Sequence, residues 1–521
     1  MNNTVLITTS GVGERLGDLT KYTNKALVRI GTKPAISHII ESYPTGTRFV
    51  VTLGYFGEQV RDFLSLAYPK LNIKYVNVNP FVGPGSSLGQ SMLQAKSVLQ
   101  RPFIYHASDT LVSDPIPTPK RNWIGVYRGS DTSHYASWTM QEGTLRFHEK
   151  GAIGADFIHI GLVGVHDFKK FWKTLGQLID ENPDNDSLND AKVLARIIES
   201  GESVEIIEFP SWRDIGNVVA LRQALGKKDP EVLYKPEEAI FLFDTFVIKF
   251  FANAEVAAHR AERAKLLKGF VPRLEGLRGN FYRYTYVQGE AYPDVVNTRD
   301  FKKYLSWAQK DFWGKPLREV DDKKFKEVCR AFYEDKTKAR VEKFFAQSGL
   351  HDTVHVINGE SVPTLEKMLA QVDFKELSKG LQSRFHGDFV LDNVIRTKDG
   401  YCLVDWRQDF GGLLTVGDRY YDLAKLNHNL TVNHEIINRN LFTVDAKGKN
   451  ILCTIMRPSS LVECREVFRS FLDKNKYDAS KVDILTAIIW LNMAPLHHHP
   501  FNLFLYYFGK LHLWRALQAK K

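Results

Sequence analysis

Apolar positions in the first half of the chain fall in short runs separated by polar stretches with helical spacing. Residues 4–9 (TVLITT), 48–53 (RFVVTL), 73–78 (IKYVNV) and 102–106 (PFIYH) are rich in β-branched and aromatic side chains, and each predicts a strand. Residues 34–43 (PAISHIIESY) and 59–68 predict helices between them. This alternation predicts an α/β domain on a mainly parallel, Rossmann-like sheet with helices on both faces. Ligands of such sheets sit beyond the carboxyl ends of the strands. The pattern lapses after Leu225. Residues 226–238 (GKKDPEVLYKPEE) are charged, hold two prolines and have no period. They place a linker at 227–238, between a domain of residues 1–226 and a second of residues 239–521. The second opens with strand-like runs at 239–243 and 246–251 and a helical stretch at 255–268. From about residue 301 it reads as mostly helical, which makes the second domain α+β.

A length of 521 residues is about three times that of a typical domain and fits this division. With 44% hydrophobic and 25% charged residues, wholesale disorder is excluded. No run of eighteen apolar residues and no cleavable basic leader is present, so neither membrane insertion nor export is expected. Cys329, Cys402, Cys453 and Cys464 form no C-x-x-C pair. That argues against a zinc site or a disulfide framework and fits a cytoplasmic location. The net charge of +10 favours polyanionic partners. There is no run of five like charges and no basic helix with interleaved aromatics, so phosphate handling is a simpler account than nucleic-acid binding. An oligomer is compatible with this composition. The triplet His497–His499 would point in different directions on a helix, which suits helix-end histidines better than a metal site.

Candidate chemistry begins where the first strand ends, at Ser10-Gly11-Val12-Gly13-Glu14-Arg15-Leu16-Gly17. Small residues there let backbone N–H groups approach a phosphate. Gly11, Gly13 and Gly17 would also suit a dinucleotide-binding turn, but that turn leads straight into a long helix. The next segment, DLTKYTNKAL, is polar and aperiodic. Arg15 sits two residues after Gly13, and Lys25 stands further on in Asn24-Lys25-Ala26-Leu27. This layout resembles the sugar-nucleotide pyrophosphorylase family of nucleotidyltransferases, with its glycine-rich turn, G-x-R-L and P-K-A-L. Asparagine replaces the usual proline here, and Thr9-Ser10 replaces the usual small pair. The resemblance extends to about Leu225. Gly85-Ser86-Ser87 matches the base-contacting turn, and Ser108-Asp109 matches the strand end that keeps a metal aspartate. Glu149-Lys150 matches the segment that meets the acceptor phosphate. Trp212-Arg213-Asp214-Ile215-Gly216 matches W-x-D-x-G, which carries a second metal aspartate.

The resemblance implies attack by an acceptor phosphate on the α-phosphorus of a nucleoside triphosphate, CTP or UTP, with pyrophosphate leaving. Gly11 and Gly13 would cradle the triphosphate, Arg15 would meet the leaving pyrophosphate, and Lys25 would neutralise charge near the α-phosphate. Gly85, Ser86 and Ser87 would contact the base. Asp109 and Asp214 would share Mg2+, while Glu149 and Lys150 would hold the acceptor.

In the second domain, Phe385-His386-Gly387-Asp388-Phe389-Val390-Leu391-Asp392-Asn393 is followed by a strand-like run ending at Asp405-Trp406. Further on stands Gly417-Asp418-Arg419-Tyr420-Tyr421-Asp422-Leu423-Ala424. Together these resemble the aminoglycoside phosphotransferase and choline kinase family, relatives of protein kinases. The resemblance implies a protein-kinase-like fold in which Asp388 orients the acceptor hydroxyl and Asn393 and Asp405 hold Mg2+ against ATP. Lys249 would be the nucleotide lysine, paired with Glu262 or, alternatively, Glu255. Tyr286 and Gln288 would form the adenine hinge. Asp392 suits either a further metal ligand or a local turn bond. No glycine-rich loop precedes Lys249, where Phe243-Asp244-Thr245 is only a tight turn.

A kinase makes a phosphorylated compound, and a nucleotidyltransferase consumes one. Their fusion implies consecutive steps, from a sugar or polyol to its phosphate and then to an activated nucleotide precursor. Such precursors feed surface-polysaccharide assembly in the resembling families. Alternatives are choline as acceptor, giving CDP-choline, and a kinase-like half that only binds a ligand.

Overall fold

A computed structural model describes residues 3–129, 132, 134–225 and 236–519. These form two compact units. One holds the described residues of 1–230, 235–254 and 276–283, and the other those of 255–275 and 284–521. Residues 227–235 of the expected linker lie outside the described residues.

The first unit is built on a nine-stranded sheet. Four parallel strands make up one side of it, in the order Phe103–Ala107, Thr4–Thr8, Arg48–Leu53 and, at the edge, Ile73–Asn77. Val5 and Ile7 enter one core with Ile36 and Val60, whereas Leu6 enters the other with Met92 and Phe171. Successive side chains thus serve helices on opposite faces, which explains the unbroken apolar runs. Beyond Phe103–Ala107 the sheet turns antiparallel, through Phe157–Val165 and Trp123–Tyr127. A separate four-stranded sheet has the order Glu238–Leu242, Phe246–Phe251, Phe281–Thr285 and Leu274–Arg278. The Phe63 ring meets Phe241 at 5.4 Å and Phe281 at 5.9 Å. Strand residues past the linker therefore share the core of the first unit.

The second unit needs one correction to the mostly helical expectation. It contains a sheet in the order Glu360–Val362, His355–Ile357, Asn450–Ile455 and Phe442–Lys447. Alternating polarity in FTVDAK and NILCTI, around Gly448 at φ 62, accounts for the hairpin. Helices Ala479–Met493 and Phe501–Ala519 are buried in the main core of this unit. Between helices Asp322–Arg330 and Lys336–Ser348 the chain makes a π-helical turn, Ala331–Asp335. Among the described residues, no helix is long and apolar enough to cross a membrane.

Candidate active sites

Strands Thr4–Thr8 and Phe103–Ala107 are parallel neighbours, so the glycine-rich loop and Asp109 emerge side by side at their carboxyl ends. Gly13 has φ 75, and a Cβ there would meet the Lys25 Cβ at 2.9 Å, so only glycine fits. Lys25 opens a short 3-10 turn, Lys25–Leu27. The fully buried Asn24 fixes that turn. Its Oδ1 accepts from Ala26 N at 2.9 Å, and its Nδ2 donates to Thr9 O at 2.8 Å and to Tyr55 O at 2.5 Å. The residue that departs from the family pattern is thus a staple between three loops.

Lys25 Nζ lies 3.6 Å and Arg15 Nη2 3.9 Å from Asp109 Oδ2. Burial favours the neutral acid at Asp109, but Lys25 and then Arg15 outweigh it and hold the carboxyl below its ordinary value. Asp214 arrives from about a hundred residues away on a two-stranded ribbon, where it faces Thr110 while Arg213 faces Leu111. Gly216 N donates to Asp214 Oδ1 at 2.8 Å, and Tyr135 OH donates to Oδ2 at 3.0 Å. A Cβ on Gly216 would lie 3.0 Å from Asp214 Oδ1, 3.1 Å from Arg15 Nη2 and 3.2 Å from Asp109 Oδ2. Two carboxylates and a guanidinium therefore converge on one bare backbone position. Below them, buried His106 accepts from Tyr43 OH and donates from Nε2 to Thr110 O at 3.0 Å. Burial pushes its pKa down to about 4, so it is a neutral strut.

The remaining expected residues lie around this cluster. Gly85 has φ 77, Ser86 donates to Gly83 O, and Ser87 Oγ accepts from Gln90 N at 3.1 Å, capping helix Leu88–Leu93. Gly11 leaves open space where a side chain would stand. Glu149 pairs with Lys192 at 2.7 Å instead of joining the Asp109 cluster, and Lys150 is exposed.

In the second unit, Asp388 Oδ1 lies 2.7 Å from Lys425 Nζ, and Asn393 Nδ2 donates to Asp388 Oδ2 at 3.1 Å and to its backbone oxygen at 3.0 Å. Burial would raise Asp388, but Lys425 dominates and brings its carboxyl down to about 2. His386 Nε2 donates to Val404 O at 3.0 Å, binding the loop that carries Asp388 to the segment that carries Asp405. Asp405 stands at φ 59, a left-handed conformation, and pairs with Arg260. It is near enough to Asp388 for their charges to interact.

Helix Arg419–Asn429 holds the loop from one face. Buried Asp422 accepts from His386 N and Gly387 N, each at 2.8 Å, and from Trp313 Nε1 at 3.1 Å. Asn429 accepts from Leu391 N at 2.8 Å and donates to Asp392 at 2.6 Å, so Asp392 serves the loop. Buried Arg263 donates to Arg407 O at 2.6 Å and to Phe385 O.

Lys249 is buried on its strand, and Tyr286 and Gln288 are exposed. Gly289 is required next to them, because a Cβ would come within 2.5 Å of Arg396 O, where Glu290–Ala291 pairs with strand Val394–Thr397. Glu262 does not sit as expected. It is half exposed and pairs with Lys265 at 3.3 Å on its own helix.

Both places suit a hard divalent ion. Asp109 and Asp214 turn carboxylate oxygens toward a common space beside cations. Asn393 spends its Nδ2 on Asp388, which leaves its Oδ1 as an acceptor, and its backbone oxygen accepts from Val404 N at 2.8 Å, the residue before Asp405. Among the described residues, no group of three or more His, Cys, Asp or Glu side chains gathers as a closed metal cage, so substrate phosphates and water would complete the shell.

Residues 273–435 match the phosphotransferase enzyme family. No curated protein matches the chain. Among solved structures, the chain is similar to the CTP:phosphocholine cytidylyltransferase of Streptococcus pneumoniae, with 20% identity, 43% of this chain and 99% of that one covered, and a TM-score of 0.38. It is also similar to the inositol-1-phosphate CTP transferase of T. maritima, with 15% identity, 44% and 98% covered, and a TM-score of 0.35. UTP-bound UGPase of Acinetobacter baumannii aligns at 17% identity, 44% and 95% covered, and a TM-score of 0.35.

Proposed function

We propose that the chain is a bifunctional transferase. Residues 239–521 phosphorylate a small hydroxylated acceptor, a sugar or polyol, with ATP. Residues 1–226 then couple the phosphorylated product to CTP or UTP and release pyrophosphate. The observation that carries this reading is the gathering, in each half, of carboxylates beside cations suited to phosphate: Asp109 with the sequence-distant Asp214 near Arg15 and Lys25, and Asp388 with Asp405 near Lys425.

In the kinase half, a carboxyl brought down to about 2 is a weak base at neutral pH. Asp388 therefore acts by orienting the acceptor hydroxyl toward the γ-phosphorus, and the proton leaves as the oxygen–phosphorus bond forms. Asn393 fixes the second Asp388 oxygen, and Lys249, Tyr286 and Gln288 hold the nucleotide. In the nucleotidyl half, Lys25 and Arg15 offset charge at the α-phosphate and on the departing pyrophosphate. Amides at Gly11 and Gly13 cradle the triphosphate, and the turn at Gly85–Ser87 faces the base. Lys150 meets the acceptor phosphate, while Glu149 positions the segment through Lys192. Mg2+ bound by Asp109 and Asp214, and in the other half by Asn393 and Asp405, would screen the phosphate oxygens.

A second reading takes choline as acceptor. It is favoured by Trp212, whose ring meets Tyr127 at 5.2 Å and Tyr135 at 5.4 Å, with Tyr135 bonded to Asp214. Aromatic faces beside a carboxylate suit a quaternary amine.

The test incubates purified protein with ATP, with CTP or UTP, and with a panel of acceptors. ADP release that depends on one acceptor, followed by pyrophosphate release, is expected. Pyrophosphate release from a pre-phosphorylated acceptor with no ADP release for any acceptor would refute the kinase half.

A further inference from the structure

The kinase half carries a group of cations with no role in the scheme above. Lys336 begins the helix just after the π-helical turn Ala331–Asp335, and Arg340 lies one turn further on. Turns of this kind often mark functional sites, because they rotate the succeeding residues out of α-helical register. Lys336 Nζ stands 3.9 Å and Arg407 Cζ 5.2 Å from the centre of the same ring, Phe332. Phe332 packs edge-on against Tyr421 at 5.0 Å. Tyr421 and Arg407 both act electrostatically on Lys425, whose ammonium touches Asp388. The cations thus run from Lys336 and Arg340 through Arg407 to the catalytic aspartate.

Among the described residues, no carboxylate pairs with Lys336, Arg340 or Arg407, and Arg407 Nε is buried without a hydrogen-bond partner. Asp409 acts on Lys336 from a distance, and its Oδ1 accepts from Gly412 N. Burial, and after it Arg407, Arg340 and Lys425, push the Lys336 ammonium down to about 6. With no anion beside it, Lys336 gives up its proton rather than stand charged next to Arg340 and Arg407. A ligand that supplies a negative group restores the cation and offsets the two guanidinium groups.

We propose that the acceptor of the kinase half is itself an anion, a hydroxylated carboxylate or sugar acid whose negative group rests between Lys336, Arg340 and Arg407 while its hydroxyl reaches Asp388. This deepens the kinase reading and rests on it. It turns the choice of acceptor away from choline, which would meet positive charge there. The chemistry balances as acceptor–OH plus ATP giving acceptor–O–phosphate, ADP and a proton. The γ-phosphorus bond to the ADP oxygen breaks as the bond to the acceptor oxygen forms.

The test uses the full chain with glycerate and glucuronate as anionic probes, against glycerol, glucose and choline. Binding is followed by ligand-observed NMR, and ADP release gives KM for acceptor and for ATP. The expected result is binding and turnover of an anion in preference to its neutral counterpart. In Lys336→Gln and in Arg340→Gln, acceptor KM and anion affinity should weaken about tenfold or more with KM for ATP unchanged. A thermal unfolding profile like that of wild type, including the transition of the unit that holds Lys336 and Arg340, reports that the variant chains are folded.

Preference for choline or a neutral acceptor, no binding of either anion, or unaltered anion binding in both variants would each overturn the proposal. So would a rise in KM for ATP alone, since the cluster would then serve the nucleotide. Anion binding that the variants abolish, with no ADP release for any acceptor, would instead refute the kinase reading and leave the anion site standing.

Discussion

Single side chains set the chemistry of both sites by spending every polar atom they own. Asn24 is the clearest case, with two carbonyls and one amide satisfied by one buried amide group. Asn24→Ala would strand Thr9 O and Tyr55 O and release the turn that carries Lys25. We expect a loss on the order of 1–3 kcal/mol by chemical denaturation and a marked fall in pyrophosphate release, with ADP release unchanged. Unaltered stability and activity would show that the staple does not position Lys25. Asp422 offers a test by pH. Burial raises its carboxyl to about 6, above the value near 4 of an unfolded chain. The folded state therefore binds more protons between those values, and the stabilisation from this group, full below pH ~4, is lost as pH rises through ~6. The unfolding free energy from urea melts, wild type minus Asp422→Asn, should fall across that window by on the order of 1–3 kcal/mol. A flat difference would contradict the assignment. Asp422 stands within a legible motif, but its task left no sign in the sequence, because its partners are backbone amides 35 and 36 residues away.

Elements bring these side chains together, and here the sequence was legible in part. The runs at 48–53 and 246–251 are strands with those bounds, because continuous apolar runs bounded by polar turns have few other ways to be buried. The hairpin at 442–455 is readable from its alternation but is masked by the helical character of the segments around it. Helix Arg419–Asn429 shows what spacing could have revealed. Asp422, Lys425 and Asn429 stand three and four residues apart on one face. Each grips a different part of the loop 385–393, at Gly387, Asp388 and Leu391 respectively. Lys425 was missed because a lysine in a helix has a solvated face as its ordinary fate. Lys336, Arg340 and Arg407 escaped notice for the same reason, since no run of like charge marks them. The ribbon that pairs Asp214 with Thr110 makes its own prediction. Gly216→Ala would put a methyl group into the space shared by Asp109, Asp214 and Arg15. Nucleotidyl transfer should drop about a hundredfold with the thermal midpoint nearly unchanged. Full activity would mean that this space is not used.

For the whole molecule, order along the chain made the two chemistries legible, but not how the chain compacts. Strand residues beyond the linker count with the first unit because Phe241 and Phe281 find Phe63 there, a choice made by apolar surfaces that no motif records. Arg15, Lys25, Asp109 and Asp214 nevertheless all lie in the first unit, and Asp388, Asn393, Asp405 and Lys425 all lie in the second. The two activities should therefore separate cleanly. Asp388→Asn should abolish ADP release and spare pyrophosphate release from a pre-phosphorylated acceptor, and Asp109→Asn should do the reverse. If either substitution silenced both reactions, separate sites would be untenable.

The cross-stitching between residues 385–388 and 404–407 has one more effect. His386 Nε2 to Val404 O, Arg407 N to His386 O, and the two bonds from Arg263 leave neither strip a way to loosen alone. They should breathe as one cooperative patch, with their protected amides exchanging hydrogen for deuterium at a common rate. Thermal fluctuation would then displace Asp388 and Asp405 together or leave both in place, so partly assembled states would be scarce. Separate exchange rates for the two strips would show that the stitches are too weak to do this.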